Sequence, residues 1–382
     1  MEQRVLEASL PISYRKYDAA TLGEHLKNRH SVVLVGMKRV GINQFLRFFL
    51  YNPEIKKTYL NDGKEHLFIH VDLTDLVERD IFPFWTLTLK RIADAVQDSS
   101  LSKETKGQIE NYFNNSIQLK DLFFTLENIR KSIATIIAYN IVPTIFFVRF
   151  DRIKDVVTPA FFDNLKGLRD ATHYTLSYVF TSYRSLGELA PSVFEKASIS
   201  AFAHTMFITP TSHKDTGIVF AAYKNMYKLN ISQELEHAFF TFVDGHIQYL
   251  QYGLIVLREK GEIYNKENLW QNLYEDERVV LQSEELWESL KTDEQSILKK
   301  IAKGENVLGD EKQRARYLWD TGLVNEAKLF NPLFVKHIEQ KIATRASTQG
   351  SNVEFTKKEH LLFDFLHKHL NEIAEREDII QA

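Results

Sequence analysis

Five short apolar runs punctuate the first 210 residues, with stretches of helical period between them. SVVLV (31–35) is a β-rich run ending at Gly36, the pattern of a buried central strand followed by a tight loop. INQFLRFFL (42–50) then reads as a helix. LFIHVDL (67–73) follows the turn signal Asn61-Asp62-Gly63 and forms a second strand. PTIFFVRFD (143–151), LSYVFTS (176–182) and HTMFIT (204–209) supply the third, fourth and fifth. Between them, Trp85, Leu89, Ile92 and Val96 share one helical stripe over 84–96. Leu119, Leu122, Phe123, Leu126, Ile129, Ile133 and Ile136 share another over 119–137, and a further helix is expected around 160–171. Such alternation predicts an α/β fold with right-handed crossovers and a mostly parallel sheet covered on both faces. Ligands of these sheets gather at the carboxyl ends of the strands, so chemistry is expected just after residues 35, 72, 150 and 182.

From about residue 211 the strand signal stops. Residues 215–260 read as helices, with Phe220, Tyr223 and Tyr227 as a core stripe. Residues 284–340 read as two helices followed by short strand-like pieces at Leu323-Val324 and Lys328 to Phe330. KIATRASTQGSN (341–352) is polar and rich in small residues, a linker composition, and FTKKEHLLFDFLHKHLNEI then opens another helix. Thr292 with Gln295 and Thr356 with Glu359 are spaced as capping boxes. At 382 residues the chain exceeds one compact core, so two or three domains are expected.

Composition narrows the function classes. The 44% apolar and 26% charged content is that of a globular protein. A net charge of −3 gives no chain-wide field toward nucleic acid, so any DNA contact requires a local basic patch. With no cysteine there are no disulfides, thiol nucleophiles or thiolate metal sites, which fits a reducing, cytoplasmic setting. The N-terminus carries no apolar signal region, and no apolar run has membrane-spanning length, so no membrane partner is expected.

Gly36-Met37-Lys38-Arg39-Val40-Gly41-Ile42-Asn43 has the spacing of a phosphate-binding loop, G-x-x-x-x-G-K-[ST], between a strand and a helix. The two glycines are kept, but Ile42 stands at the lysine position and Asn43 at the hydroxyl position. A neutral branched side chain cannot neutralise phosphate, and Asn43 could reach Mg²⁺ only through a weaker carbonyl oxygen. Phe147 to Asp151 resembles a Walker B strand, apolar and ending in an acid that organises Mg²⁺. The next residue, where hydrolytic proteins carry glutamate, is Arg152, which stays protonated and cannot serve as a base. The alternative for Asp151 is a plain cap or a pair with Arg152 at a strand end. Asp72 and Asp75 follow a strand, where they either face the pocket or start the next helix. His204 and His213 lack a matching carboxylate pattern, and His360, His367 and His369 lie on a polar helix, so no metal is assigned. Ser182 and Ser185 lack the G-x-S-x-G elbow of a hydrolase.

On these residues the chain resembles the STAND and archaeal-type ATPases of the AAA+ superfamily, whose loop often reads G-x-R-R-x-G-K-[ST]. TSYR (181–184), with Thr181 at its head, looks like the sensor-1 region of that group. FVDGHIQYLQYGLIVL (242–257) is similar to its lid motif G-G-H-P-Y-L-L-Q, keeping Gly245 and His246 but departing at Asp244, Ile247 and Gln248. In the family the proline at position 247 lies against adenine. Residues 287–338 look like the closing winged helix, and 353–382 resemble the start of an OmpR-type winged-helix effector domain, stopping before its recognition helix. The resemblance implies a P-loop NTPase-like domain at 1–210, a helical lid at 211–280, a winged helix at 281–340, a linker at 341–352 and a truncated second winged helix at 353–382. It places a vestigial nucleotide site at Gly36, Lys38, Arg39, Gly41, Ile42, Asn43, Asp151, Arg152 and Thr181. Four groups the family uses are replaced: the lysine, its hydroxyl neighbour, the Walker B glutamate and the lid proline. The leading expectation is therefore a catalytically degenerate regulatory protein, either a transcriptional regulator that binds DNA through its C-terminal winged helix or a signalling scaffold, with no obligatory cofactor. One alternative is an ATP-binding switch with slow or residual ATPase activity, holding ATP or ADP and Mg²⁺, with Lys38 or Arg39 supplying the missing charge. The other is a protein-interaction or self-associating module, since 353–382 carries more acidic than basic residues.

Overall fold

A computed structural model describes residues 5–194, 202–260, 266–326 and 328–350. The five apolar runs become β1 (Ser31–Val35), β2 (Glu65–Asp72), β3 (Ile141–Val148), β4 (Ser177–Ser182) and β5 (Ala203–Phe207). They form one parallel sheet in the order β2-β3-β4-β1-β5. Every residue of β1, β3 and β4 is buried, as expected of central strands covered on both faces. The edge strands β2 and β5 expose part of their residues.

Neighbouring residues of a strand point to opposite faces, and the aromatic side chains of β3 make the two layers visible. Phe146 meets Phe68 and Phe49, the latter from α2 (Ile42–Tyr51), with ring centroids 5.2 and 6.4 Å away. Phe147 meets Phe84 of α4 (Ile81–Ala95) at 5.0 Å, and Phe84 in turn meets Phe161 of α7 (Pro159–Ala171) at 4.9 Å. Other helices of this part include α1 (Lys16–Lys27), α3 (Glu54–Tyr59), α5 (Lys103–Leu119) and α6 (Leu122–Ala138).

Two sequence expectations change here. The stripe over 119–137 is broken: Lys120 adopts left-handed backbone at φ 51° and ends α5, and Asp121 caps the start of α6 by accepting from the Phe124 N–H. Leu119 and Phe123 are consequently exposed, while Ile129, Ile133 and Ile136 are buried. The third strand stops at Val148 rather than Asp151, because Arg149 turns left-handed at φ 60° and starts a short 3-10 turn, Phe150–Ile153.

Beyond the sheet the chain is helical: α8 (His213–Tyr227), α9 (Gln233–Val243), α10 (Ile247–Lys260), α11 (Lys266–Glu275), α12 (Glu277–Glu288) and α13 (Thr292–Ala302). Phe220 and Tyr223 are buried within it and Tyr227 is half-buried. The box expected at Thr292 and Gln295 sits one residue earlier. Lys291 is the N-cap and donates its N–H to Glu294 Oε2 at 2.8 Å, whereas the Gln295 amide donates to the Trp287 carbonyl. Two short helices, α14 (Gly309–Arg314) and α15 (Tyr317–Asp320), lead to an antiparallel pair, β6 (Val324–Asn325) and β7 (Lys328–Leu329). The chain divides into one unit at 1–335 and a second at 336–382, and helix α16 (Pro332–Gly350) begins in the first. The stretch expected as a linker from 341 is therefore helical as far as Gly350. Polarity alone does not end a helix, and Lys341 to Gln349 contain neither proline nor glycine. The OmpR-like segment 353–382, with Thr356, Glu359 and the three histidines at 360, 367 and 369, lies outside the described residues.

Candidate functional site

The loop after β1 is shaped by close approach. The Val35 carbonyl accepts the Ile208 N–H at 2.8 Å, which brings the backbone after β5 against Gly36. A β-carbon at Gly36 would come within 2.6 Å of the Ile208 carbonyl oxygen, so only glycine fits there. Arg39 (φ 61°) and Gly41 (φ 115°) both take left-handed backbone and turn the chain into α2. Gly41 supplies no side-chain cap, so the first N–H groups of α2 stand toward the cavity with the positive end of the helix dipole. Ile42 does not reach outward as a lysine would. Its Cδ1 packs back toward Gly36 beside Val40 Cγ1, giving the loop an apolar lining. Asn43, half-buried on the same turn, lines the cavity.

The cavity is about 460 Å³ and lies at the carboxyl ends of β1, β3 and β4, bounded by Thr181 and Ser182 on one side and by Ile247, Gln248 and Gln251 of α10 on another. Five cations line it, Lys38, Arg39, Arg47, Arg149 and Arg152, against the two carboxylates Glu7 and Asp151. Three of the cations are engaged. Arg39 pairs with Glu285 of α12 at 2.8 Å, Arg47 with Glu7 at 3.4 Å, and Arg149 with Asp72 at 2.8 Å. Lys38 and Arg152 form no ion pair among the described residues, and the Arg152 Nε is buried without a hydrogen-bond partner. Burial pushes the Asp151 carboxyl above the usual range, with Arg152, Lys38 and Arg149 pulling the other way. A cavity with this balance of charge attracts anions. A divalent cation held by Asp151 and Asn43 would sit among three positive side chains, so the donor set suits phosphate better than metal.

Arg149 lies within the run read as the third strand. It is a structural pivot: its N–H donates to Thr181 Oγ1 at 2.7 Å, joining the ends of β3 and β4, and its guanidinium reaches Asp72 at the end of β2. Burial raises the Asp72 pKa, but the hydrogen bonds from Thr74 and the charge of Arg149 outweigh it and hold the group below its ordinary value. Asp75 turns away from the cavity to Arg91 at 2.7 Å. Ser182 and Ser185 serve as local caps, accepting from the Arg184 and Glu188 N–H groups.

The lid motif touches the loop directly. Gly245, at φ 76°, packs on Thr211, whose N–H and hydroxyl both donate to the Gly245 carbonyl at 2.9 Å. His246 is fully buried, and its ring Nε2 lies 3.3 Å from the Lys38 carbonyl, which can only accept, while Nδ1 accepts the Tyr249 N–H at 3.4 Å. The ring is thus neutral with its proton on Nε2, and burial pulls its pKa down to about 3. Ile247 abuts Gly41, where an added β-carbon would come within 2.7 Å of Ile247 Cγ1. Asp244, a departure from the family motif, caps α9 in left-handed backbone and accepts the Asn331 N–H at 3.0 Å. The structure therefore gathers Gly36 to Asn43, Asp151, Arg152, Thr181 and Ile247 around one cavity, while Gly245 and His246 lie outside its lining. Arg39 is the exception in direction, drawn out to Glu285. Arg184 also leaves: it follows β4 but forms a buried bidentate pair with Glu294, 2.7 and 2.6 Å long. Nothing in the pattern around TSYR links it to a residue 110 positions away. The histidines are not all scattered either, since His204 converges with His25 and His30.

No family model matches the sequence, and no curated protein is matched by it. Solved structures are. The ORC2 protein of Aeropyrum pernix, in ADPNP–ADP complexes, aligns at 12% identity over 91% of this chain and 99% of its own, with a TM-score of 0.52. A Walker-type ATPase of Pyrococcus abyssi aligns at 14% identity over 88% of this chain and all of its own, with a TM-score of 0.53. At these identities the likeness is one of fold, and it agrees with the sheet and loop described above: the chain has the α/β P-loop fold of the AAA+ proteins, with a helical C-terminal part.

Proposed function

We propose that this chain is a degenerate member of the STAND-like AAA+ proteins that works as a regulator or scaffold rather than as a nucleotide-splitting motor. The observation that carries the reading is the pair of substitutions at the cavity. Ile42 stands folded onto the loop where a cation is needed, and Arg152 stands beside Asp151 where a base is needed. Replacing the phosphate-reaching cation by a hydrocarbon and the base by a fixed cation removes the activation of water, whatever anion the remaining cations of the cavity attract. The domain plan follows the family: a P-loop-like body at 1–210, a lid at 211–280 and a winged helix at 281–340. The run of α13, α14, α15, β6 and β7 supports the last. DNA binding would fall to winged-helix elements, and the partner would otherwise be a protein or a second copy.

A second reading, an ATP- or ADP-binding switch, is favoured by one contact. Arg39 is held by Glu285 across the mouth of the loop, half-exposed on both sides, and an incoming phosphate would compete for it. Isothermal titration of Mg·ATP into the full chain, with a phosphate-release assay in parallel, separates the two. The scaffold reading expects no turnover and no heat at high micromolar nucleotide. Binding that is lost in Lys38→Ala, with slow turnover or none, favours the switch, and steady hydrolysis abolished by Asp151→Asn overturns the scaffold reading.

A further inference from the structure

We infer that His25, His30 and His204 form a binding site for a borderline first-row divalent cation of the zinc class at the edge of the sheet opposite the phosphate loop. One imidazole nitrogen from each lies within 4.8 Å of the other two. The grouping follows from two independent pieces of backbone. Helix α1 ends in a cap with Arg29 left-handed at φ 60° and the His30 N–H donating to the His25 carbonyl at 2.9 Å. That six-to-one hydrogen bond is the Schellman closure, and it fixes the spacing of the first two rings. The third comes from β5, whose pairing with β1 sets Val32 opposite His204 and so brings the strand's imidazole to the residue that precedes β1. His204 stacks on His25 with centroids 4.9 Å apart and tilts against His30 at 4.6 Å.

The chemistry of the cluster selects the ion. Three imidazole nitrogens and no thiolate or carboxylate suit Zn²⁺, Co²⁺, Ni²⁺ or Cu²⁺ and exclude Ca²⁺ and Mg²⁺, which require oxygen. Arg169, whose charge acts on His30, is engaged with the Phe202 and Arg29 carbonyls, and Glu24 lies beside His25. The exposed His204 leaves the fourth position to water. The ion would tie α1 and the edge strand β5 to β1.

Chelator-treated, untagged full chain is titrated with Co²⁺ and with Zn²⁺ at neutral pH, following the visible d–d absorption of cobalt, the heat of zinc binding and the thermal midpoint. One equivalent per chain is expected, with a rise in midpoint, and both are lost or weakened about tenfold or more in His204→Ala, whose side chain is exposed and not needed for the core. His30→Gln behaves likewise, whereas His213→Ala keeps the wild-type response. Absence of stoichiometric binding in the wild type, or binding unchanged in His204→Ala and His30→Gln, overturns the site.

Discussion

At the scale of single residues, His246 shows how burial sets protonation. Its ring donates to the Lys38 carbonyl and accepts from the Tyr249 N–H, an arrangement open only to the neutral form, and burial pulls its pKa to about 3. In the unfolded chain the same ring titrates near ~6.5, so between these values the unfolded state binds the extra proton and stability rises with pH. The contribution is complete above roughly pH 6.5 and is lost as the pH falls toward about 3. At pH 5 the loss has a ceiling of about 2 kcal/mol. His246→Gln retains a donor for Lys38 and removes the titration. Urea unfolding at pH 7.5 and 5.0 is therefore expected to show a smaller drop for the variant than for the wild type. The shares of His66 and His70, whose pKa values burial also lowers, persist in both.

At the scale of elements, β3 is the member that both layers grip. Phe147 has its ring against Phe84, Phe150, Tyr178 and Phe180, so Phe147→Ala opens a cavity on the α4–α7 face and is expected to cost roughly 3–5 kcal/mol, read from the thermal midpoint. The strands were legible because their apolar runs are short, continuous and bounded by turn residues; all five fall where the pattern puts them, within a few residues. The breaks were not. Lys120 and Arg149 are ordinary non-glycine residues held left-handed by what surrounds them, and nothing local marks them as the ends of a helix and a strand. Helix α5 was missed for a different reason: KETKGQIENYFNNSIQL buries only Thr105, Ile109 and Ser116, too few positions to make a stripe. The loop and its two lost groups could be read from spacing alone, since Gly36 and Gly41 are required by backbone geometry. The clamps upon it come from Glu285 and His246, more than 200 positions away, where only three-dimensional structure can reveal the pairing.

At the scale of the whole molecule, one buried ion pair joins the sheet to the helices that follow it. Arg184, just past β4, pairs with Glu294, donates to the Ser289 carbonyl at 2.8 Å and lies 3.8 Å over the Tyr317 ring. Arg184→Met leaves Glu294 buried and uncompensated, and is expected to cost about 3–5 kcal/mol. The double variant Arg184→Met with Glu294→Leu recovers most of that loss, and a denaturant series on the three proteins measures it. The contacts on the phosphate loop carry a further consequence. Lys38, Arg39 and Gly41 are each touched by a different residue of the later helices, His246, Glu285 and Ile247. Swinging those helices away from the loop as one body would rupture all three junctions together.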